Sequence, residues 1–177
     1  MEIVEVKKDL LSVPKTYIVC HCISQDGAMG AGVARQICNE NQKMRETVKN
    51  EITTKNIEVG DNVYYQNPQN GRFIVNMITK NNYWNKSYKM EQGEYLNNLK
   101  PCLMNLKKYM KNHQISQLAM PKIGCGLDGC SWSEVRKIIE MVFQNEQFVI
   151  YKRWQECHLF LGEGHKKRTR YEYDIYI

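Results

Sequence analysis

The sequence has no long apolar run, so no segment approaches the length that a membrane-spanning helix requires. Residues 1–9 alternate acidic and apolar side chains, which is not the pattern of a secretory signal peptide. Internal repeats and low-complexity linkers are also missing. We therefore expect one domain over all 177 residues, with no membrane partner, in the cytoplasm, or in the nucleus if the source is eukaryotic.

Common metal-binding patterns are absent as well. The seven cysteines form no C-x-x-C pair, and there is no H-E-x-x-H motif. Cys20 and His21 are neighbours in a predicted strand, so their side chains point to opposite faces. We interpret the cysteines, including Cys125 and Cys130, as core or free thiols of a reduced protein, and we expect no metal and no cofactor.

The sequence also lacks a strong charge of either sign, since its net charge is only +6. Such a charge permits contact with nucleic acid without requiring it, and a phosphate-bearing small ligand suits it equally. The basic segment 166–170 and the aromatic residues Tyr83, Trp84 and Tyr88 are candidates for nucleic-acid contact. More commonly, however, a basic loop is only solvated, and aromatic side chains of a loop pack against their own domain.

What the sequence does contain is two glycine-rich turns, each between a predicted strand and a predicted helix. In the first unit, the strand is predicted at 17–22, the turn at 23–32 and the helix at 33–39. In the second unit, the strand is predicted at 115–120, the turn at 119–129 and the helix at 132–144. Glycine accepts positive φ and lets another group approach the backbone closely. A helix N-terminus aims its amide N–H groups at an anion. Each turn is either an anion cradle or a tight turn without a ligand, and the residues alone leave both open.

The remaining pattern predicts the fold class. Further strands are predicted at 2–6, 62–66, 72–79 and 148–151, and further helices in the first half of 42–55 and at 93–112. Pro101 either kinks the last of these helices or begins a second segment. Either 148–151 or 171–177 supplies the last strand. In the first case the chain after 151 is an extension, and in the second case the segment between the two is an insertion. Strands that alternate with helices predict a three-layer α/β/α domain with a largely parallel sheet.

Two side chains at the predicted strand ends have chemistry to offer. Lys80 ends the strand 72–79, and Asp128 lies in the second glycine turn. Ligands of such sheets bind outside the carboxyl ends of the strands. A neutral lysine is a nucleophile, and a carboxylate can act in acid–base catalysis. A solvated lysine and a charge at a helix start are the ordinary alternatives, and the sequence does not show that the two side chains meet.

Four segments, in this order, resemble the macrodomain family, and more narrowly its branch of terminal ADP-ribose protein glycohydrolases. They are Lys8-Asp9-Leu10-Leu11; His21-Cys22-Ile23-Ser24 followed by Met29-Gly30-Ala31-Gly32; Ile78-Thr79-Lys80; and Met120-Pro121-Lys122-Ile123-Gly124-Cys125-Gly126-Leu127-Asp128 with Trp132. The resemblance covers residues 2–151. It implies an α/β/α fold around a mixed, mostly parallel sheet, with ADP-ribose as the ligand.

The same resemblance implies roles for individual residues. Lys80 would attack the anomeric carbon of the distal ribose, and Asp128 would help to resolve the lysyl adduct. The adenine end would lie at the first of the four segments, the distal ribose and phosphates at the second, and the diphosphate at the last. The implied substrate-binding residues are Asp9, Leu10, His21, Ser24, Met29, Gly30, Ala31, Gly32, Thr79, Lys122, Ile123, Gly124, Cys125, Gly126 and Leu127.

The implied activity is hydrolysis of ADP-ribose from glutamate or aspartate esters of proteins, or deacylation of O-acyl-ADP-ribose. The alternatives are a binding module without catalysis, and a hydrolase of ADP-ribose 1″-phosphate or of ADP-ribosylated DNA. We expect a monomer whose partners are ADP-ribose and ADP-ribosylated proteins. The segment 81–94 is longer and more aromatic than the family pattern, so it would cover the site or alter substrate choice.

Overall fold

Strands and helices alternate along the chain of the computed structural model, which describes residues 2–6, 8–85, 90, 93–144 and 149–153. The strands in these ranges are β1 (Glu2–Val6), β2 (Ile18–Ser24), β3 (Asn62–Gln66), β4 (Phe73–Lys80), β5 (Gln117–Met120) and β6 (Val149–Arg153). The α-helices are α1 (Gly32–Glu40), α2 (Met44–Thr54), α3 (Glu94–Asn112) and α4 (Trp132–Phe143), and a short 3-10 helix spans Leu10–Ser12. Within the described ranges, every helix is too short or too polar to cross a bilayer.

The strands form one sheet in the order β1-β6-β5-β2-β4-β3. Neighbouring strands are parallel except for β3, which pairs antiparallel with β4. The prediction of a mixed, mostly parallel sheet is therefore confirmed. Since β2, β4 and β5 are parallel neighbours, their carboxyl ends meet at one edge of the sheet, where ligands of such folds bind.

β6 occupies an interior position of the sheet, between β1 and β5. Ile150 is in register with Ile3 on one side and with Leu118 on the other. The predicted strand at 148–151 is therefore present, and it begins one residue later and ends two residues later than expected. The alternative strand 171–177 lies outside the described residues.

The two faces of the sheet carry separate apolar cores. On β2, Cys20 packs in the cluster that contains Leu103 of α3 and Ile139 of α4. Val19, which points to the opposite face, packs in the cluster that contains Ile37 of α1. This division produces the three-layer α/β/α arrangement, so the predicted fold class is confirmed.

The structure corrects the predicted length of α2 and decides between the two alternatives for Pro101 in α3. α2 runs through to Thr54, beyond the predicted first half of 42–55, because Met44, Val48 and Ile52 form a buried stripe at helical spacing. Pro101 lies inside α3, which is one helix. A proline in a helix costs about 3 kcal/mol, whereas each fully buried leucine of α3 contributes about 1.5–3 kcal/mol. Packing therefore maintains the helix across the proline.

Candidate active site

The carboxyl ends of β2 and β4 are joined by backbone hydrogen bonds where the strands leave the sheet. The amide of Gln25 donates to the carbonyl of Lys80 over 2.9 Å, and the amide of Asp26 donates to the carbonyl of Asn81 over 3.2 Å. The pairing shifts register between Ile23 and Ser24 at the same point. The backbone of Lys80 is consequently held against the first glycine turn.

Lys80 and Asp128 face one another across this edge. They are 48 residues apart in sequence, and Lys80 Nζ forms an ion pair with Asp128 Oδ1. The side chains are only 9% and 15% exposed, respectively. The pair therefore brings together an amine and a carboxylate, which are the groups that nucleophilic and acid–base catalysis use.

Tyr95, in the first turn of α3, holds the other oxygen of this carboxylate. Its hydroxyl donates to Asp128 Oδ2 over 3.2 Å, and the residue is 2% exposed. Burial raises the pKa of the Tyr95 hydroxyl well above its usual range, so the group stays protonated and remains a donor. We did not predict this residue. Its spacing of four from Leu99 places it on the apolar stripe of α3, where a tyrosine is typical of core packing.

The second glycine turn packs directly on Tyr95. Gly124 has φ +73°, and a Cβ placed on it would lie 2.9 Å from Tyr95 Cε1 and 3.2 Å from Cys130 Sγ. Only glycine fits this position. The turn is closed by the amide of Cys130 donating to the Gly124 carbonyl over 2.8 Å, and Ile123 is buried beneath it.

Amide groups of this turn are available to a ligand. Within the described residues, the N–H groups of Gly124, Gly126 and Leu127 donate to no protein acceptor. Gly126 and Leu127 are also exposed. Unpaired amide groups in a glycine turn offer hydrogen-bond donors to an anion. Lys122 and Cys125 are partly buried in the same turn, whose backbone is braced by the Cys125 amide donating to the Lys122 carbonyl over 3.1 Å.

The first glycine turn meets the second. A Cβ placed on Gly32, where φ is +56°, would lie 3.5 Å from Leu127 Cδ1. Met29 is buried and anchors the turn, because its carbonyl accepts a hydrogen bond from Arg45 Nη2 over 2.8 Å. Gly30 and Ala31 are exposed immediately before the N-terminus of α1. The two turns and the Lys80–Asp128 pair thus form one site.

Asp26 connects the first turn to the loop after Lys80. One carboxylate oxygen accepts from the Ser24 hydroxyl over 2.5 Å and from the Ala28 amide over 3.0 Å, and the other accepts from the Tyr83 amide over 3.0 Å. This role of Asp26 was not predicted, although the pair Asp26-Gly27 is a common turn signal. Beyond this anchor, Tyr83 and Trp84 are 57% and 56% exposed, with their rings edge to face at 4.8 Å.

Two predicted binding residues lie at α1. Asp9 Oδ1 accepts from the Leu11 amide over 2.8 Å and so caps the 3-10 helix. Asp9 and Leu10 line a cavity of about 230 Å³ together with α1 residues that include Val33 and Ile37. The predicted adenine contacts therefore lie beside the helix that follows the first glycine turn.

Two other predicted residues are buried in the sheet and are not brought into the turns. Thr79 is fully buried in β4. His21 is 1% exposed, and its Nε2 donates to Asn76 Oδ1 over 2.8 Å, since the amide of Asn76 donates to the Val63 carbonyl. Burial lowers the pKa of His21 to about 4, against the raising effect of the Asn76 bond.

Thiol chemistry is suppressed beside the site. Burial raises the pKa of Cys22 to about 12, so its thiol stays protonated near neutrality. Among the residues that the structure describes, no group of three or more His, Cys, Asp or Glu side chains is arranged to hold a metal ion.

Comparison with known proteins gives one consistent result. A family model described as Macro domain matches residues 20–139. Two curated relatives, both named ADP-ribose glycohydrolase OARD1, from Homo sapiens and Bos taurus, are each 33% identical over 139 residues, which covers 78% of this chain and 82% of the relative. Solved structures with the same fold include the macrodomain of Thermus aquaticus DarG, with a TM-score of 0.72, 21% identity, and coverage of 86% of this chain and 97% of that chain. Thermosipho africanus DarTG in complex with ADP-ribose has a TM-score of 0.70 and 18% identity, and covers 86% of this chain and 41% of that chain.

Proposed function

The chain belongs to the macrodomain family, and on that premise we propose that it hydrolyses ADP-ribose conjugates by means of Lys80 and Asp128. The observation that carries this proposal is the buried ion pair of these two side chains at the point where the glycine turns meet. A reader module that only binds ADP-ribose would have no task for such a pair. The name ADP-ribose glycohydrolase of the 33%-identical relatives supports the same activity.

The two glycine turns would hold the substrate. The unpaired amide groups of Gly124, Gly126 and Leu127 lie in the turn that packs against Gly32 at the N-terminus of α1, so fixed dipoles would bind the diphosphate. The cavity beside Asp9 and Leu10 would take the adenine. This arrangement leaves the distal ribose at the Lys80–Asp128 pair. These contacts remain predictions.

The reaction would proceed in two displacements. Asp128 takes a proton from Lys80, and the neutral amine attacks the anomeric carbon of the distal ribose. The bond from that carbon to the acyl oxygen breaks, and the carboxylate leaves with the electron pair. Water then attacks the anomeric carbon, and the bond from that carbon to the Lys80 nitrogen breaks. Asp128 returns its proton to the departing amine, and the proton that the water loses is released to solvent. A covalent intermediate divides one difficult displacement into two easier ones.

Acyl conjugates suit this chemistry best. A carboxylate is a good leaving group, so the first displacement needs no separate acid to protonate it. We therefore assign glutamate and aspartate esters of proteins, and O-acyl-ADP-ribose, as the preferred substrates. Tyr95 would keep Asp128 directed at Lys80 throughout both steps, because it binds the carboxylate oxygen that Lys80 does not.

The decisive experiment replaces Lys80 with alanine. Lys80→Ala should abolish release of ADP-ribose from a glutamyl-ADP-ribosylated protein, while isothermal titration still detects ADP-ribose binding. The matched control is Lys55→Ala, which removes an exposed lysine–carboxylate pair with Glu51 on α2. Mass spectrometry of wild type quenched during turnover should find an ADP-ribosyl group on Lys80. Unchanged turnover of Lys80→Ala would contradict the mechanism.

A second candidate acceptor is a nucleobase, and one observation favours it. Tyr83 and Trp84 are exposed on the loop that leaves Lys80, and exposed aromatic rings stack on bases. Turnover of ADP-ribosylated protein, ADP-ribosylated single-stranded DNA and ADP-ribose 1″-phosphate should be compared in one panel. If DNA is the substrate, Trp84→Ala raises KM for the DNA conjugate by about tenfold and leaves KM for the protein ester unchanged.

A further inference from the structure

An exposed apolar pair lies away from the site. In the described part of the chain, five large hydrophobic side chains are exposed, and three of them, Tyr83, Trp84 and Leu127, belong to the candidate active site. The other two are Met104 on α3 and Met141 on α4, which are 54% and 52% exposed. They line the same groove between the two helices, with a volume of about 580 Å³. Substrate binding at the active site does not explain this pair.

All the charged residues that line the groove are lysines. Its lining residues are Lys100, Met104, Lys107, Lys108, Lys111, Asn112, Met141 and Val142. No carboxylate occurs in α3 from Tyr95 to Asn112. Lys107 has a structural role, since its ammonium group donates to the Val142 carbonyl over 2.9 Å at the end of α4. The other three lysines are exposed and surround an apolar floor.

We propose that this methionine–lysine groove docks an acidic amphipathic helix of a partner protein. Methionine side chains are flexible and polarisable, and they adapt to apolar side chains that enter a groove between helices. Carboxylates on the flanks of the docked helix would pair with Lys100, Lys108 and Lys111. These lysines are spread over about 16 Å of α3, which is the length of about three helical turns.

Other occupants fit the groove less well. Single-stranded nucleic acid binds by stacking its bases on aromatic side chains, and the lining has none. A bilayer would require a larger apolar face than two methionines provide. A second copy of this chain also carries a net charge of +6, which opposes its approach to a basic groove.

The groove begins at Lys100 and extends along α3 to Asn112, away from the active site. Tyr95 contacts Asp128 in the first turn of the helix, and Met104 to Lys111 follow about 14–24 Å further along the axis. A docked partner would therefore leave the Lys80–Asp128 pair uncovered. The groove can recruit or position a partner without competing with substrate, and the inference is independent of the proposed catalysis.

The test uses a fluorescein-labelled 16-residue peptide with leucine on one helical face and glutamate on the others. Fluorescence anisotropy should detect binding to the full chain that weakens at least tenfold in Met104→Ser/Met141→Ser and in Lys100→Glu/Lys108→Glu/Lys111→Glu. The matched control makes the same change of charge at Lys49 of α2 and at the two residues that flank this helix, in Lys43→Glu/Lys49→Glu/Lys55→Glu. It should bind within about twofold of wild type, as expected for charges outside the contact. Thermal unfolding of each variant verifies that it is folded.

Several results would overturn the proposal. The proposal is wrong if the wild-type chain does not bind the peptide, or if it binds equally well a peptide of the same composition in scrambled order. It is also wrong if the α2 control variant loses as much peptide affinity as the groove variants do. Tighter binding of a 20-nucleotide single strand, or of phosphatidylserine vesicles, that is lost only in the lysine variant would assign the groove to a polyanion instead.

Discussion

Tyr95→Phe removes the single oxygen atom that donates to Asp128 Oδ2 and leaves the aromatic ring in place under Gly124. A hydrogen bond to a charged acceptor contributes about 1.5–3 kcal/mol. The observed length of 3.2 Å lies at the long end of the usual range, so we take the lower value. If the whole contribution is realised in the transition state, kcat falls by about tenfold.

The assay is release of ADP-ribose from a glutamyl-ADP-ribosylated protein, with kcat and KM determined separately. Because Tyr95 acts through Asp128 and not through the diphosphate cradle, KM should stay within about twofold of wild type. The matched control is Tyr65→Phe, which removes a tyrosine hydroxyl from a buried residue of the edge strand β3. An unchanged kcat, or a loss confined to KM, would refute the positioning role.

Two further perturbations address the cradle and the core. Gly124→Ala places a Cβ within 2.9 Å of the Tyr95 ring at φ +73°. ADP-ribose affinity, measured by isothermal titration, should therefore fall at least tenfold, and the free energy of unfolding should fall by about 1–3 kcal/mol. The control is Gly71→Ala, where φ is also positive but the new Cβ meets no neighbour, so an equal loss of binding in both variants would contradict this account. His21 has a folded pKa of about 4, below its ordinary 6.5, so the unfolded chain binds more protons and stability falls as pH drops from about 6.5 to 4, by up to about 1.4 kcal/mol per pH unit. Urea unfolding should show this slope in wild type and a shallower one in His21→Gln, and parallel slopes would refute it.

The strand–turn–helix units could be predicted because glycine spacing and helical periodicity are local properties. The unit that begins at β2 and the unit that begins at β5 are both present, with boundaries shifted by one or two residues. The length of α2 was underestimated because its buried stripe, Met44, Val48 and Ile52, is separated by polar residues. Its burial depends on contact with the sheet, which a local pattern does not contain.

The pairing of Lys80 with Asp128 could not be derived from spacing, since it depends on the order in which the sheet places β4, β2 and β5. The family resemblance suggested both residues, but their contact is a property of the folded chain. Tyr95 and Asp26 were not predicted as site residues because their local sequence patterns are ordinary. Each matches an ordinary local role, a core aromatic and a turn carboxylate, and only the three-dimensional contacts reveal a second one.

The interior position of β6 constrains the order in which the molecule can assemble. β1 is synthesised before the other strands of the sheet, yet its partner in the sheet is residues 149–153. Until that segment emerges, β1 has no neighbouring strand and β5 has one open side. Pairing of such distant segments makes folding slow, and an unpaired strand edge is prone to associate with other chains. The nascent chain therefore has most need of chaperones in the interval before β6 is synthesised, when the residues of the candidate active site already exist but the sheet that supports them is incomplete.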